Sequence, residues 1–246
     1  MRIIPVLDLM NGQVVQAVRG ERDTYQPIKS ILTPETNPLA VAQALQAETG
    51  CREFYIADLD ALQGKGDHRD VIRQLAAELK ADLWIDAGVT LAASALKALN
   101  TGSIHVIVCS ETLQDPEFLI DLGDGLPSER LLFSIDIVSG SVLARSSVLQ
   151  DLDPLAAMDF LSRRGWSRFI LLTLDRVGTG AGFDWSLLQA ARRRFPKLSL
   201  IAGGGARKPH DIKALAALDL SGALVATALH RGWITRHDLA RMHLNQ

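Results

Sequence analysis

The stretch Ile3-Ile4-Pro5-Val6-Leu7-Asp8-Leu9-Met10-Asn11-Gly12-Gln13-Val14-Val15 decides the fold. It is a short apolar run that ends on an acidic residue and a turn, and buried parallel strands read as such runs rather than as alternation. The pattern recurs. Ile4, Leu7, Asp8, Gly12 and Val14 match Leu132, Ile135, Asp136, Gly140 and Val142 of LLFSIDIVSGSVL (131–143) at one constant separation. Phe54, Leu59 and Asp60 match Phe169, Leu174 and Asp175 at a second constant separation. A duplicated half-unit explains both and sets Asp8 and Asp136 on opposite sides of one mouth.

Outward from these stretches, similar apolar runs occupy Phe54–Ala57, Leu83–Ile85, His105–Val108, Phe169–Thr173, Leu198–Ala202 and Ala223–Ala226, which makes eight strand candidates with the first two. Between them Pro38–Thr49, His68–Leu79, Pro154–Arg164, Asp184–Arg194 and Pro209–Leu218 carry apolar residues at spacings of three and four, the period of amphipathic helices. Alternating strand and helix predicts a parallel sheet, because each right-handed crossover returns the chain to the same end of its neighbour. Eight units close into an α/β barrel of the (β/α)8 type, one domain over residues 1–246. The competing doubly wound sheet opens with a glycine-rich nucleotide loop after its first strand, where this chain has Asp8-Leu9-Met10-Asn11-Gly12.

The bulk numbers agree. The chain has 246 residues, 48% hydrophobic and 22% charged, close to the roughly 250 of an eight-stranded α/β barrel. Lys and Arg number 26 against 28 Asp and Glu, a formal net charge of -2, which favours a small metabolite over nucleic acid or an acidic membrane as partner. Gly, Pro or a charge interrupts every apolar run before it reaches membrane-spanning length. Two cysteines, Cys51 and Cys109, make no disulfide framework, and the sequence starts directly with a strand-like run, so a cytoplasmic protein is expected.

Residues at the C-terminal ends of barrel strands face the ligand. Asp8 and Asp136 stand there, and two facing carboxylates serve as base and acid when their surroundings hold their pKa values apart. The plainer reading is a turn or capping Asp at each strand end, which the duplication makes less economical. The run Ala202-Gly203-Gly204-Gly205-Ala206 after the seventh strand, with Ala226-Thr227-Ala228 after the eighth, sits where barrels hold a phosphate; a tight turn is the alternative. Thr173 to Gly182, leaving the sixth strand, include Gly178, Thr179 and Gly180 in a loop expected either to close on substrate or simply to connect. His105 is expected to be a satisfied core residue. No Cys, His and carboxylate spacing suits a metal, so neither metal nor cofactor is expected. The arginines at 163–164 and 192–194 fall at predicted helix ends, where they suit the helix dipole.

Taken together, IIPVLDLMNGQVV, IADLDALQG, SIDIVSG, TLDRVGTGAG, IAGGGA and ALVATALHRG resemble the ProFAR isomerase family of histidine biosynthesis nearly end to end. The resemblance implies a ribulose-phosphate-binding type of (β/α)8 TIM barrel that performs an Amadori rearrangement of a phosphoribosyl aminoaldose without cofactor. It implies Asp8 and Asp136 as base and acid, with Thr173 assisting. The sister cyclase family fits less well: its motif after the first Asp and its strand-four asparagine are absent, and nothing suggests its amidotransferase partner.

The family's two-phosphate substrate is held in the first half by a Gly-Gly-Gly-Ile-Arg segment and a Gly-Thr. Here those places read Asp86-Ala87-Gly88-Val89-Thr90 and Cys109-Ser110, and Ala226 stands for a glycine in the second half. Asp86 adds negative charge where an anion should sit. A single phosphate on Gly203, Gly204, Gly205, Ala226 and Thr227 is therefore expected, with Asp58, Asp86, Gly178 and Thr179 as further substrate contacts. An amine-bearing group would suit Asp58, Asp60 and Asp86. The alternatives are a diverged enzyme of one-carbon cofactor biosynthesis acting on a pterin or furan precursor, and a non-catalytic binding barrel.

Overall fold

The computed structural model describes residues 1–89, 104–114 and 128–242. Among them eight parallel strands form the barrel: β1 Arg2–Met10, β2 Glu53–Asp58, β3 Asp82–Asp86, β4 Ile104–Cys109, β5 Leu131–Val138, β6 Arg168–Thr173, β7 Ser199–Gly203 and β8 Gly222–Val225. Each pairs with the next, and β8 returns to β1 from Arg2↔Gly222 to Pro5↔Val225, which closes the cylinder. All eight expected runs are strands. Short antiparallel strands, Gln13–Gln16, Gln26–Pro27 and Ser141–Val142, extend β1 and β5 beyond the mouth as hairpins.

The expected helices form as α1 Pro38–Thr49, α2 Arg69–Leu79, α3 Pro154–Ser162, α4 Trp185–Arg194 and α5 Pro209–Ala217. Asn37 accepts hydrogen bonds from the Leu39 and Ala40 N–H groups ahead of Pro38, and Gly50 ends α1 at φ 71°. The arginines of α4 occupy its last turn. Arg192 there donates to the carbonyls of Phe195, Pro196, Leu198 and Asp219, tying the helix end to the next loop. No helix among the described residues is long and apolar enough to cross a membrane.

Because strand side chains alternate, the barrel carries two cores. The inner one takes one residue from each strand: Ile4, Tyr55, Trp84, Ile107, Leu132, Ile170, Ile201 and Leu224. The outer one packs Leu7, Phe54, Ile56, Phe133, Phe169 and Leu171 against helix residues such as Val41, Leu75 and Leu188. At the underside Arg2 and Arg168 lie over the ring of Trp84. His105 packs beside that ring, only partly buried, with its Nδ1 unpartnered. It is therefore less satisfied than the sequence suggested. The other tryptophans divide as well: Trp166 packs on Phe133 in the core, Trp185 on Phe183, and Trp233 is exposed near Gly180.

Asn37→Ala removes the acceptor for two N–H groups of α1. It is expected to lower stability by about 1 kcal/mol, read as a shift of the urea midpoint with an unchanged denaturant slope.

Candidate active site

Stepping up the strands two residues at a time from the inner-core residues, one step on most strands and two on β1 and β5, gives the ring of side chains at the C-terminal mouth. Strands β1, β3, β5 and β7 deliver Asp8, Asp86, Asp136 and Gly203; strands β2, β4, β6 and β8 deliver Ala57, Cys109, Leu172 and, one residue past its end, Ala226. Alternate strands supply one layer of a barrel interior. Three carboxylates and a glycine thus share the odd-strand layer. Asp8, Asp86 and Asp136 line one cavity of about 140 Å³, and the duplication that predicted facing aspartates is realised.

The three acids are held differently. Asp136 is 3% exposed, and its Oδ1 accepts from Ser134 Oγ at 2.9 Å while the Glu111 backbone also hydrogen-bonds its carboxylate. Burial, then the charges of Asp86 and Glu111, push its carboxyl well above the ordinary range. Asp86 accepts from Tyr55 Oη at 2.8 Å and from Cys109 Sγ at 3.3 Å, and burial raises its carboxyl too. Asp8 has no hydrogen bond to its carboxylate among the described residues. Burial pushes it up to about 7; Arg22 pulls it down and Asp86 pushes it further up. One carboxyl kept as the acid and another poised near neutrality is the arrangement proton transfer needs.

Arg22, Tyr25, Tyr55, Glu111, Arg176 and His230 also line the cavity and were not foreseen. Tyr55 shares the inward parity of β2. The others belong to loops at the mouth, where only their address hinted at a role. Arg22 Nη2 meets Glu111 Oε2 at 2.6 Å. His230 Nδ1 lies 3.0 Å from Ser30 Oγ, and burial pushes that imidazole down to about 4, so it is neutral at pH 7.

The expected phosphate rim forms part of the same wall: Gly204, Gly205, Ala206, Ala226 and Thr227 line it. Gly203 ends β7 just below, where a Cβ would lie 2.7 Å from Leu172 Cδ1. Gly204, at φ 77°, would bring a Cβ within 2.2 Å of Thr173 O, so the turn admits only glycine. Thr227 opens the short helix Thr227–His230, whose first N–H groups have no intrahelical partners. Gly178 also lines the cavity. A Cβ there would lie 2.3 Å from Ala17 O, so the loop after β6 packs directly on the loop after β1.

Three expected site residues are placed elsewhere. Asp58 has the outward parity of Phe54 and Ile56 and is 1% exposed. Its carboxylate caps the turn Leu59–Leu62 and holds His68 through Nδ1 at 2.7 Å and the backbone N–H at 2.7 Å. His68 Nε2 in turn accepts from Gly12 N–H at 3.0 Å, and Asp60 accepts from Asn11 N–H at 3.0 Å. These acids fasten the β1 turn to the loop after β2. Thr173 shares the outward parity of Phe169 and Leu171, and the residues of the cavity wall are Leu172 and Leu174. Thr179 accepts from Ala181 N–H and donates to Arg176 O as a turn residue, off the cavity wall. Of the altered first-half segment, Asp86 to Val89 are described and Thr90 lies outside the described residues.

Asp8 also carries a cost. A carboxyl held at about 7 in the fold, but near 4 in the unfolded chain, leaves stability untouched below pH 4. It lowers stability as pH rises, fully so above pH 7. Asp8→Asn is therefore expected to stabilise the protein at pH 8 by on the order of 4 kcal/mol, and by little at pH 4. Chemical denaturation at both pH values checks this, and equal effects at both would contradict it.

The family described as Histidine biosynthesis protein matches residues 2–235. A Thermus thermophilus protein named 1-(5-phosphoribosyl)-5-((5-phosphoribosylamino)methylideneamino)imidazole-4-carboxamide isomerase is 31% identical over 95% of this chain and 96% of its own. Two further relatives are from Methanocaldococcus jannaschii. One is uncharacterized and is 30% identical over 97% of each chain; the other carries the same isomerase name and is 27% identical over 95% of each. On this end-to-end match, the chain belongs to the histidine biosynthesis protein family of (β/α)8 barrels.

Proposed function

We propose that the protein is an isomerase that performs an Amadori-type rearrangement of a monophosphorylated aminoaldose, with Asp136 as acid and Asp8 as base. Such a rearrangement needs a proton delivered to the sugar ring oxygen as it opens, and one taken from the carbon beside the resulting imine. The observation that carries the reading is the pair itself: Asp8 and Asp136 rise from opposite strands into one cavity, the first poised at about 7 and the second pushed well above the ordinary carboxylate range by burial. Thr173 ends β6 with its backbone carbonyl beside the Gly204 turn, off the cavity wall, and is assigned no step of its own in this scheme.

The single phosphate is assigned to the rim of Gly204, Gly205, Ala206 and Thr227, whose backbone and helix start suit an anion. The opposite end of the cavity is acidic. Asp86 occupies the inward position there with its oxygens on Tyr55 and Cys109, and a phosphate beside it would meet like charge in a poorly hydrated space. An amine or another hydrogen-bond donor suits this end. Of two relatives from Methanocaldococcus jannaschii, the uncharacterized one is slightly more similar to this chain than the one that carries the isomerase name.

Calorimetric titration with the bisphosphorylated substrate named for the relatives, beside a monophosphorylated aminoaldose, tests the substrate class. The monophosphate is expected to bind at least as tightly, and strong binding of the bisphosphate alone would overturn the one-phosphate assignment. With the substrate that binds, Asp8→Asn and Asp136→Asn are each expected to lower kcat by about 10²-fold or more. Unchanged turnover in both would leave a binding barrel instead.

A further inference from the structure

An ion pair is among the features that set the surroundings of the two proposed proton-transfer groups apart. Arg22 begins a short turn, Arg22–Thr24, in the loop after β1, and Glu111 lies in the loop after β4, on the far side of the mouth. Their side chains meet at 2.6 Å with each 24% exposed, and both line the cavity. The Arg22 loop is fixed from its other side by Arg19 N–H donating to Val177 O at 3.0 Å, and by Gly20 packed on Leu174. The Glu111 loop is fixed by its backbone hydrogen bond to the Asp136 carboxylate. The bridge therefore spans the mouth with a cation toward β1 and an anion toward β5.

We propose that Arg22 and Glu111 form a positioning pair: their ion pair spans the mouth of the cavity that Asp8 and Asp136 line, and its separated charges set the two aspartates to different roles. This rests on the isomerase reading for its purpose, but not for its physics. Asp8 lacks a hydrogen-bond donor of its own among the described residues, so what offsets its burial is left to nearby charge. Arg22 is the charge that lowers it, and Glu111 is among the charges that raise Asp136.

The other ionisable groups around Asp8 do not compete for this part. Asp86, from β3, raises both aspartates and so cannot separate them. Arg176, from the loop after β6, is turned to Gly182 O at 3.0 Å. His230, after β8, is neutral at pH 7, and burial pushes the hydroxyls of Tyr25 and Tyr55 up, so both stay protonated. Glu111 does two things at once. Its side chain holds Arg22 over the mouth, while its charge acts on Asp136.

The test follows the carboxyl carbons directly, without substrate. Protein labelled with carbon-13 at the aspartate carboxyls is titrated by NMR, the Asp8 and Asp136 signals being assigned by their loss in Asp8→Asn and Asp136→Asn. Arg22→Met is expected to raise the Asp8 midpoint by about one pH unit or more, and Arg22→Lys to restore most of it. Glu111→Gln is expected to lower the Asp136 midpoint and raise that of Asp8, since the arginine loses its anchor. Circular dichroism confirms that each variant is folded, and Glu111→Gln reads the same coupling should Arg22→Met fail to fold. An Asp8 midpoint that stays put in a folded Arg22→Met, or moves equally in Arg22→Lys, would overturn the proposal. Because no turnover is measured, the pair can fail while the isomerase reading stands, and the reverse.

Discussion

Three carboxylates, Asp8, Asp86 and Asp136, face one small cavity, and in that poorly hydrated space Asp86 pushes the carboxyls of the other two up. Two unit charges 4 Å apart interact by about 4 kcal/mol even at the effective dielectric of a protein surface. The remaining features of the mouth manage this repulsion. Tyr55 and Cys109 give hydrogen bonds to Asp86, Ser134 gives one to Asp136, and Arg22 supplies the positive charge that faces Asp8. The result is a graded set of acids rather than three equivalent ones. Asp8 is left both the most responsive and the least anchored.

The two halves of the barrel share an ancestor's plan, visible in the repeated strand and turn around Asp8 and Asp136, but they have diverged in what they offer a ligand. One rim keeps consecutive glycines whose positions are forced by close backbone contacts, as at Gly204 against Thr173 O. The other presents Asp86 at an inward position. On the proposed reading, a barrel that retains its proton-transfer pair while changing one end of its pocket would keep the reaction type and alter the partner molecule, in line with the mouth loops of this architecture varying over a constant frame.

The fold was legible because each strand is a short apolar run bounded by turns, and the helices between keep their own period. The aspartate pair was legible from the repeat. Asp58 was misplaced for one reason: a step of a single residue along a strand turns a side chain to the other face, and the motif places a residue at a strand end without fixing its parity. Asp58 proved to be a clasp for His68 and the β1 turn, and Thr179 a turn residue. Arg22, Glu111 and Tyr25 belong to irregular segments with no periodicity, and their meeting across the mouth depends on loops that are distant in sequence.

The central claim is that Asp8 and Asp136 occupy different protonation states in the same cavity. Neutron diffraction from a perdeuterated crystal at pH 8 sees this directly. A deuteron on the Asp136 carboxyl with none on Asp8 is the expected nuclear density; two bare carboxylates, or the deuteron on Asp8 instead, would contradict the account.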